Sequence, residues 1–293
     1  MPATSPSPST RSVLLTGATG GIGRAAAAAL SAKGYRVFAG AREPDRLADA
    51  AGHDAAVVPV RLDVTDPRSV ADAVAAVTDV TDGLYAVVNN AGVIVQGPLE
   101  LVPRAELRRQ FDVNVHGPAL VTQAFLPLLR AGHGRLVNVT AATARVPGPY
   151  FGPISASKAA LAALSDALRL ELAHWGIPVV VLEPGGFATG IFDDAEAAQE
   201  RARASMPPEL VALYARQQQA VDRAMAAARR KAAAPSVLAD ALVKALEAER
   251  PKPRYTVGDD VRLLGLLARL PLRTRDRLMA QVTGLAKLKA GAS

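Results

Sequence analysis

The chain has 293 residues, half of them apolar and 21% charged, which is the composition of a folded globular protein and excludes an intrinsically disordered one. It has no cysteine, which excludes disulfides, thiolate zinc sites and thiol nucleophiles, and its four histidines (His53, His116, His133, His174) show no metal-ligand spacing. The net charge of +7 lies wholly in the last 44 residues, where from Arg250 onward ten basic side chains stand against three acidic ones.

Residues 1–10, "MPATSPSPST", lack the basic start and apolar run of a signal peptide and are expected to form a disordered tail. No apolar run approaches the ~18 residues of a membrane span, so a soluble cytoplasmic protein is expected. From Arg11 to Gly190 short β-branched runs alternate with helical stretches. "SVLLTG", "RVFAGA", "AVVPVRLDV", "LYAVVNNAG", "GRLVNVTA" and "PVVVLEPGG" read as six strands. Their near-continuous apolar character suits strands buried on both faces of a parallel sheet. Helices are expected near 24–33, 44–51, 68–81, 104–130 and 155–175. The pattern predicts an α/β fold: one Rossmann-like, doubly wound parallel sheet over residues 11–293, with ligands at the carboxyl ends of its strands.

After Gly190 the pattern changes. Residues 194–232 are polar, Ala-rich and helical, interrupted by Pro207-Pro208, and read as a lid inserted over the strand ends. A helix at 236–249 and the strand-like "RYTVG" precede a basic C-terminal extension, 250–293. In "VRLLGLLARLPLRTRDRLM" the leucines form a broad apolar face, with Arg262 and Arg269 seven apart on the opposite one. The preferred placement packs this helix on the domain with a solvated basic rim, and the alternative lays it on an anionic membrane. Tyr255 is the lone aromatic of the extension, so no stacking platform for nucleic acid exists there.

Two segments carry the candidate chemistry of nucleotide binding. "LLTGATGGIGRAAAAAL" sets Gly17, Gly21 and Gly23 between a strand and a helix. Gly17 permits the tight turn, Gly21 the approach of a pyrophosphate, and Gly23 close helix–strand packing. The helix N-terminus then offers free N–H groups and a positive dipole end to the anion. The second strand ends at Ala41 and Arg42, not at the carboxylate that would meet a ribose 2′-OH. A guanidinium suits a 2′-phosphate, so NADP(H) is favoured over NAD(H), the alternative being a surface Arg42 paired with Glu43.

These residues resemble the short-chain dehydrogenase/reductase family in its classical form, over about residues 11–192. "TGATGGIG" resembles its glycine motif, Asp63 in "LDVTD" its adenine-contacting acid, and "NNAG" (Asn89 to Gly92) its cofactor-lining motif. Asn114 in "VNVHG" resembles the asparagine of its catalytic tetrad, and "EPGGFAT" the loop holding the nicotinamide carboxamide, with Thr189 as its hydroxyl. "FAGAR", "EPGGF" and the long extension resemble the hydroxysteroid- and retinol-dehydrogenase-like members. The resemblance implies a cofactor site of Gly17, Thr19, Gly20, Gly21, Ile22, Gly23, Arg42, Asp63, Val64, Asn90, Ala91, Gly92, Lys158, Pro184, Gly185 and Thr189. It also implies a homodimer or homotetramer through the helices at 104–130 and 155–175.

The family moves a hydride between nicotinamide and a carbonyl or carbinol carbon. A tyrosine handles the oxygen's proton, a lysine four residues later lowers that tyrosine's pKa, and a serine thirteen residues before the tyrosine holds the oxygen. In "GPYFGPISASKAAL" the lysine is Lys158, but the tyrosine position is Ile154 and, by the same count, the serine position is Ala141. Thr140 should point to the opposite face of its strand. Tyr150 belongs to a loop, where it is a stand-in acid or, preferably, an aromatic wall of the pocket. His116 should point away from Asn114's side, and His174 reads as a helix C-terminal dipole partner. Ala141, Tyr150, Ile154, Phe187 and Phe192 are expected to line an apolar substrate pocket.

Three functions follow, all with a small hydrophobic ligand and no metal. The first is an atypical oxidoreductase of a hydrophobic carbonyl or alcohol (steroid-, retinoid- or polyketide-like) that works without the Tyr/Ser relay. The second is a non-redox cyclase or isomerase of a secondary metabolite, with NADP(H) structural. The third is a catalytically silent NADP(H)-binding pseudoenzyme.

Overall fold

The computed structural model describes residues 11–48, 55–187, 189–230 and 232–288. The tail expected at 1–10, His53, the end of the helix expected at 44–51 and the last residues of the basic extension lie outside them.

Seven strands form one parallel sheet: β1 (Ser12–Thr16), β2 (Arg36–Ala41), β3 (Val57–Arg61), β4 (Ala86–Asn89), β5 (Arg135–Val139), β6 (Val179–Pro184) and β7 (Arg254–Val257). Their order is β3-β2-β1-β4-β5-β6-β7, so the winding reverses between β1 and β4 and opens a crevice at their carboxyl ends. The six strands expected from sequence are all present, and "RYTV" supplies the seventh at the sheet edge. Period-2 alternation divides each strand between two cores. Val13 and Leu15 face a layer containing Leu30, Leu238 and Leu242, whereas Leu14 faces Phe38, Val77 and Phe125 on the other side.

Helices α1 (Gly21–Ala32) and α9 (Pro235–Glu247) pack together over the first layer. Helices α3 (Pro67–Thr78) and α5 (Gly117–Ala131) pack together over the second. Helix α2 is a single turn (Asp45–Ala48). Asp66 caps α3, its carboxylate accepting from the Arg68 N–H at 3.0 Å, with Pro67 at the first helical position.

The sequence predicts one helix over 104–130. The structure instead joins α4 (Arg104–Phe111) to α5 through a wide π turn, Asp112–His116, which carries Asn114 into full burial. Helix α6 (Gly152–Leu172) starts earlier than expected because Pro153 suits its first turn. The proposed lid is two helices, α7 (Ile191–Ala204) and α8 (Pro208–Arg229), broken at Pro207-Pro208. The C-terminal extension ends in α10 (Asp259–Leu267) and α11 (Leu272–Val282).

Candidate functional site

The glycine turn is built by close approach. Gly17 has φ +67°, and a Cβ there would lie 2.7 Å from the Ala91 Cα. A Cβ on Gly23 would lie 2.2 Å from the Gly17 carbonyl oxygen, so only glycine lets α1 start against β1. The turn is tied to the "NNAG" segment through Thr16, whose Oγ1 accepts the N–H groups of Asn90 and Ala91, both at 3.0 Å. In return the Asn90 Nδ2 donates to the carbonyls of Thr16 (3.0 Å) and Gly17 (3.2 Å).

Above these segments lies a cleft of about 1560 Å³ at the β1/β4 switch point, lined by Thr19, Gly20, Gly21, Ile22, Arg42, Asp63, Val64, Gly92 and Thr189 among others. No side chain caps the N-terminus of α1, which leaves its N–H groups to an anion. Gly21 faces Thr189, whose Cγ2 is 3.1 Å from a Cβ built on that glycine. The Thr189 loop leaves β6 at the buried Pro184, and its base is held by the Gly185 N–H on the Val257 carbonyl at 3.0 Å. Arg42 is exposed at the end of β2. Glu43, its sequence-suggested partner, instead pairs with Arg46 at 2.7 Å, and Arg42 makes no ion pair among the described residues. The Asp63 Oδ1 caps its own loop through the N–H (2.9 Å) and hydroxyl (2.7 Å) of Thr65. A phosphate-bridged dinucleotide fits this cradle, because the places a Cβ would fill are glycines and a free guanidinium stands at the β2 end.

Asn114 and Lys158 meet under Gly92: a Cβ there would be 3.4 Å from both the Asn114 Oδ1 and the Lys158 Nζ. Asn114 clamps Val93, accepting its N–H at 2.9 Å and donating to its carbonyl at 3.0 Å. It also donates to the Ser157 Oγ at 3.2 Å. With the Asn138–Ser165 bond at 2.8 Å, this fixes the rotation of α6. Residues 154 and 158, four apart, then share one helix face. The Lys158 ammonium donates to the Val139 carbonyl at 2.8 Å. Burial lowers its pKa from 10.5 to about 8.

Ile154, buried to 6% exposure, and the half-buried Ala141 supply hydrocarbon where the resemblance calls for a phenol and a hydroxyl. The possible substitutes are engaged elsewhere. The Thr140 hydroxyl donates to the Leu182 carbonyl at 3.2 Å. His116 is exposed at the cleft mouth beside Asp112, at 3.1 Å. His174 is exposed in the turn after α6, edge-on to Trp175. Tyr150, at φ +68°, sets its ring edge-on to Tyr214 of α8, centroids 6.5 Å apart. Burial, then the Asp222 carboxylate, push its pKa up, making it a poorer acid.

Two of the expected pocket residues sit differently. Phe187 packs into the α1/α9 core, bridged to Ala233, because its strand continuation turns it inward. Phe192 lies beneath the Arg229 guanidinium, 4.9 Å from its ring centre, and so joins α7 to α8.

Sequence reasoning missed three features. The Thr143 Oγ1, two residues past Ala141, is buried without a hydrogen-bond partner among the described residues. Glu183 is fully buried at the end of β6 between the guanidinium groups of Arg145 and Arg254. The Arg254 Nη2 continues this chain to Asp166 at 3.2 Å, so the β5–α6 loop, β6 and β7 are locked together beside the site. Finally, the Tyr214 hydroxyl reaches Glu100 at 2.5 Å, latching α8 to the loop that follows "NNAG". The acidic residue in "LEPGG" was the only local sign of the second feature, and the other two depend on tertiary contact.

Residues 11–200 match the short chain dehydrogenase family. The chain is 34% identical to "Uncharacterized oxidoreductase YbbO" of Escherichia coli (strain K12), covering 92% of this chain and 94% of that protein. It is also 34% identical to retinol dehydrogenase 5 of Homo sapiens, covering 92% and 88%. Among solved structures, a short-chain dehydrogenase from Streptomyces avermitilis superposes with a TM-score of 0.74 at 28% identity, over 98% of this chain and 100% of that one. One from Burkholderia cenocepacia J2315, in complex with NADP, superposes with a TM-score of 0.70 at 28% identity, over 93% and 97%. With its seven-stranded parallel sheet, its glycine turn at the switch point and its Asn114–Lys158 pair, the chain belongs to the short-chain dehydrogenase family.

Proposed function

We propose that this protein is an NADP(H)-dependent oxidoreductase of a hydrophobic carbonyl or alcohol in which no tyrosine relays the proton. The observation that carries the reading is the joint under Gly92, where the dinucleotide cleft, Asn114 and the buried Lys158 ammonium converge while Ile154 and Ala141 remove the usual proton-handling groups. Arg42, unpaired at the end of β2, supports NADP(H) over NAD(H). The Burkholderia cenocepacia relative in complex with NADP supports a nicotinamide dinucleotide in this cleft.

When bound, the nicotinamide supplies or accepts a hydride at the substrate carbon. The chain's own groups then deal with the oxygen. Lys158, with its pKa near 8, gives up an N–H proton to that oxygen and recovers one from water. The two lid helices exclude bulk water, and the hydrocarbon of Ile154 and Ala141 favours an apolar substrate.

The second reading, a non-redox enzyme or a silent binding protein on the same scaffold, is favoured by the same pair of substitutions. Titration of NADPH and NADH, followed by assays on hydrophobic ketones and alcohols with wild type and the Ala141→Ser/Ile154→Tyr variant, separates the readings. Oxidoreduction by wild type is expected, with a gain of about 10²–10⁴ in the variant. Activity in the variant alone would favour the second reading, and absence of nicotinamide binding in wild type would overturn both.

A further inference from the structure

The C-terminal helices α10 and α11 present a surface that the fold leaves uncovered. Leu263 (61% exposed) and Leu266 (61%) lie three apart on one face of α10, and Leu270 (37%) and Leu272 (62%) are exposed in and just after the turn to α11. The sequence pattern sets the leucines against the domain. The structure divides them instead, with Val261 buried, Leu264 and Leu267 half-buried, and the other four outward. Arg269, Arg273 and Arg277 are exposed around the outward leucines and make no ion pair among the described residues. Across residues 263–288 five basic side chains stand against Asp276 alone.

Both helices are anchored next to the candidate site. α10 packs on β7 and on the turn at 142–144 that follows Ala141. The Met279 Cε of α11 lies 3.7 Å from a Cβ built on Gly148, in the loop leading to Ile154. A Cβ built on Gly284, just past α11, would lie 3.6 Å from the Ala220 Cβ of α8. The two helices and the turn after them thus touch both the β5–α6 loop and α8, while the four exposed leucines stay open to solvent.

We propose that this pair of helices docks the protein on an anionic membrane surface, its leucines entering the headgroup–acyl boundary and its arginines pairing with lipid phosphates. Charge complementarity selects this occupant. A second copy placed face to face would oppose two arginine-rimmed patches of like charge. A nucleic acid would leave the leucines in water, and residues 263–288 hold no aromatic side chain to stack on bases. An anionic bilayer satisfies both kinds of side chain at once. Helices as short as α10 and α11 do not cross the bilayer, and no described helix is long and apolar enough to do so. Docking stands on this surface alone and does not depend on the reaction proposed above. If both hold, an apolar substrate dissolved in lipid is delivered beside the lid.

The test is co-sedimentation of the full chain with phosphatidylcholine vesicles, with and without phosphatidylglycerol, at low and high salt. Wild type should bind the phosphatidylglycerol vesicles and release from them as salt rises. Leu263→Ser/Leu266→Ser and Arg269→Glu/Arg273→Glu should each lower the partition by about tenfold or more. NADPH titration of each variant reports whether it is folded and reads the cofactor assignment separately. Should a variant misfold, the comparison of the two lipid compositions with wild type still decides. Absence of binding to the anionic vesicles, or equal binding to both compositions, overturns the proposal. So does lipid-free self-association of wild type that the leucine variant abolishes, which would assign the face to a second copy.

Discussion

Lys158→Met should stabilise the ligand-free protein at neutral pH and destabilise it at high pH. The wild-type ammonium is buried, and its pKa falls from 10.5 in the open chain to about 8 in the fold. That difference makes the charged form cost roughly 3 kcal/mol at any pH below 8. Between pH 8 and 10.5 the unfolded chain binds more protons than the native one, so the wild-type protein gains stability as pH rises through this window. Methionine has a similar shape and no charge, so its variant escapes the penalty. It loses only the Nζ donor to the Val139 carbonyl, a hydrogen bond contributing about 1 kcal/mol.

The variant should therefore be more stable than wild type by about 2 kcal/mol at pH 7 and less stable by about 1 kcal/mol above pH 10.5. The two stability curves should cross inside the window. Urea unfolding followed by circular dichroism across this pH range checks the expectation, provided the m-values of the two proteins agree. Other groups titrate in both proteins and cancel in the difference. A variant that is less stable at pH 7, or a difference that does not change with pH, would refute the burial argument and mean that the ammonium has a compensating partner.

Arg42→Ala should weaken NADPH binding by about tenfold to a hundredfold, the loss of a charge-assisted pair, while leaving NADH binding nearly unchanged. Fluorescence titration with both cofactors checks this, and an equal loss for both would place Arg42 away from the 2′-phosphate. Gly23→Ala should abolish binding of either cofactor, because its Cβ would meet the Gly17 oxygen at 2.2 Å and force the glycine turn apart. Calorimetric titration of the folded variant reads that loss directly, and retained affinity would contradict the close approach.

The fold was legible because its periodicity is strong. Six buried apolar runs separated by helical stretches admit few arrangements other than a parallel sheet, and the glycine triplet marks where its winding reverses. The cofactor cradle was equally legible, since Gly17 and Gly23 are required by backbone geometry that local sequence signals directly. The π turn at Asp112–His116 was not, because Gly117-Pro118, which directly follows it, marks a break without saying whether the turn before it is α or π. Phe187 and Phe192 were misplaced for a related reason: which way an aromatic turns depends on the helix it meets, α9 or α8, and both come later in the chain. Thr143 and the Arg145–Glu183–Arg254 chain were invisible because their meaning lies in partners 38 and 71 residues away, or in the lack of one.

Lys158 shares a face of α6 with Ile154. In the arrangement that the family resemblance implies, the lysine must stay charged, since its charge is what lowers the tyrosine's pKa. A phenol at 154 would also offer that ammonium a polar neighbour on the same face of α6. Hydrocarbon at this position offers no such neighbour, and burial is the cause of the fall to about 8. A proton donor works best when its pKa lies near the working pH, and an unperturbed lysine is far too weak an acid to serve. On the function proposed above, burial therefore brings the Lys158 ammonium toward the range in which it can take the place of the donor that the family resemblance implies at position 154. The Lys158→Met pH series reads the pKa on which that proposed proton path depends.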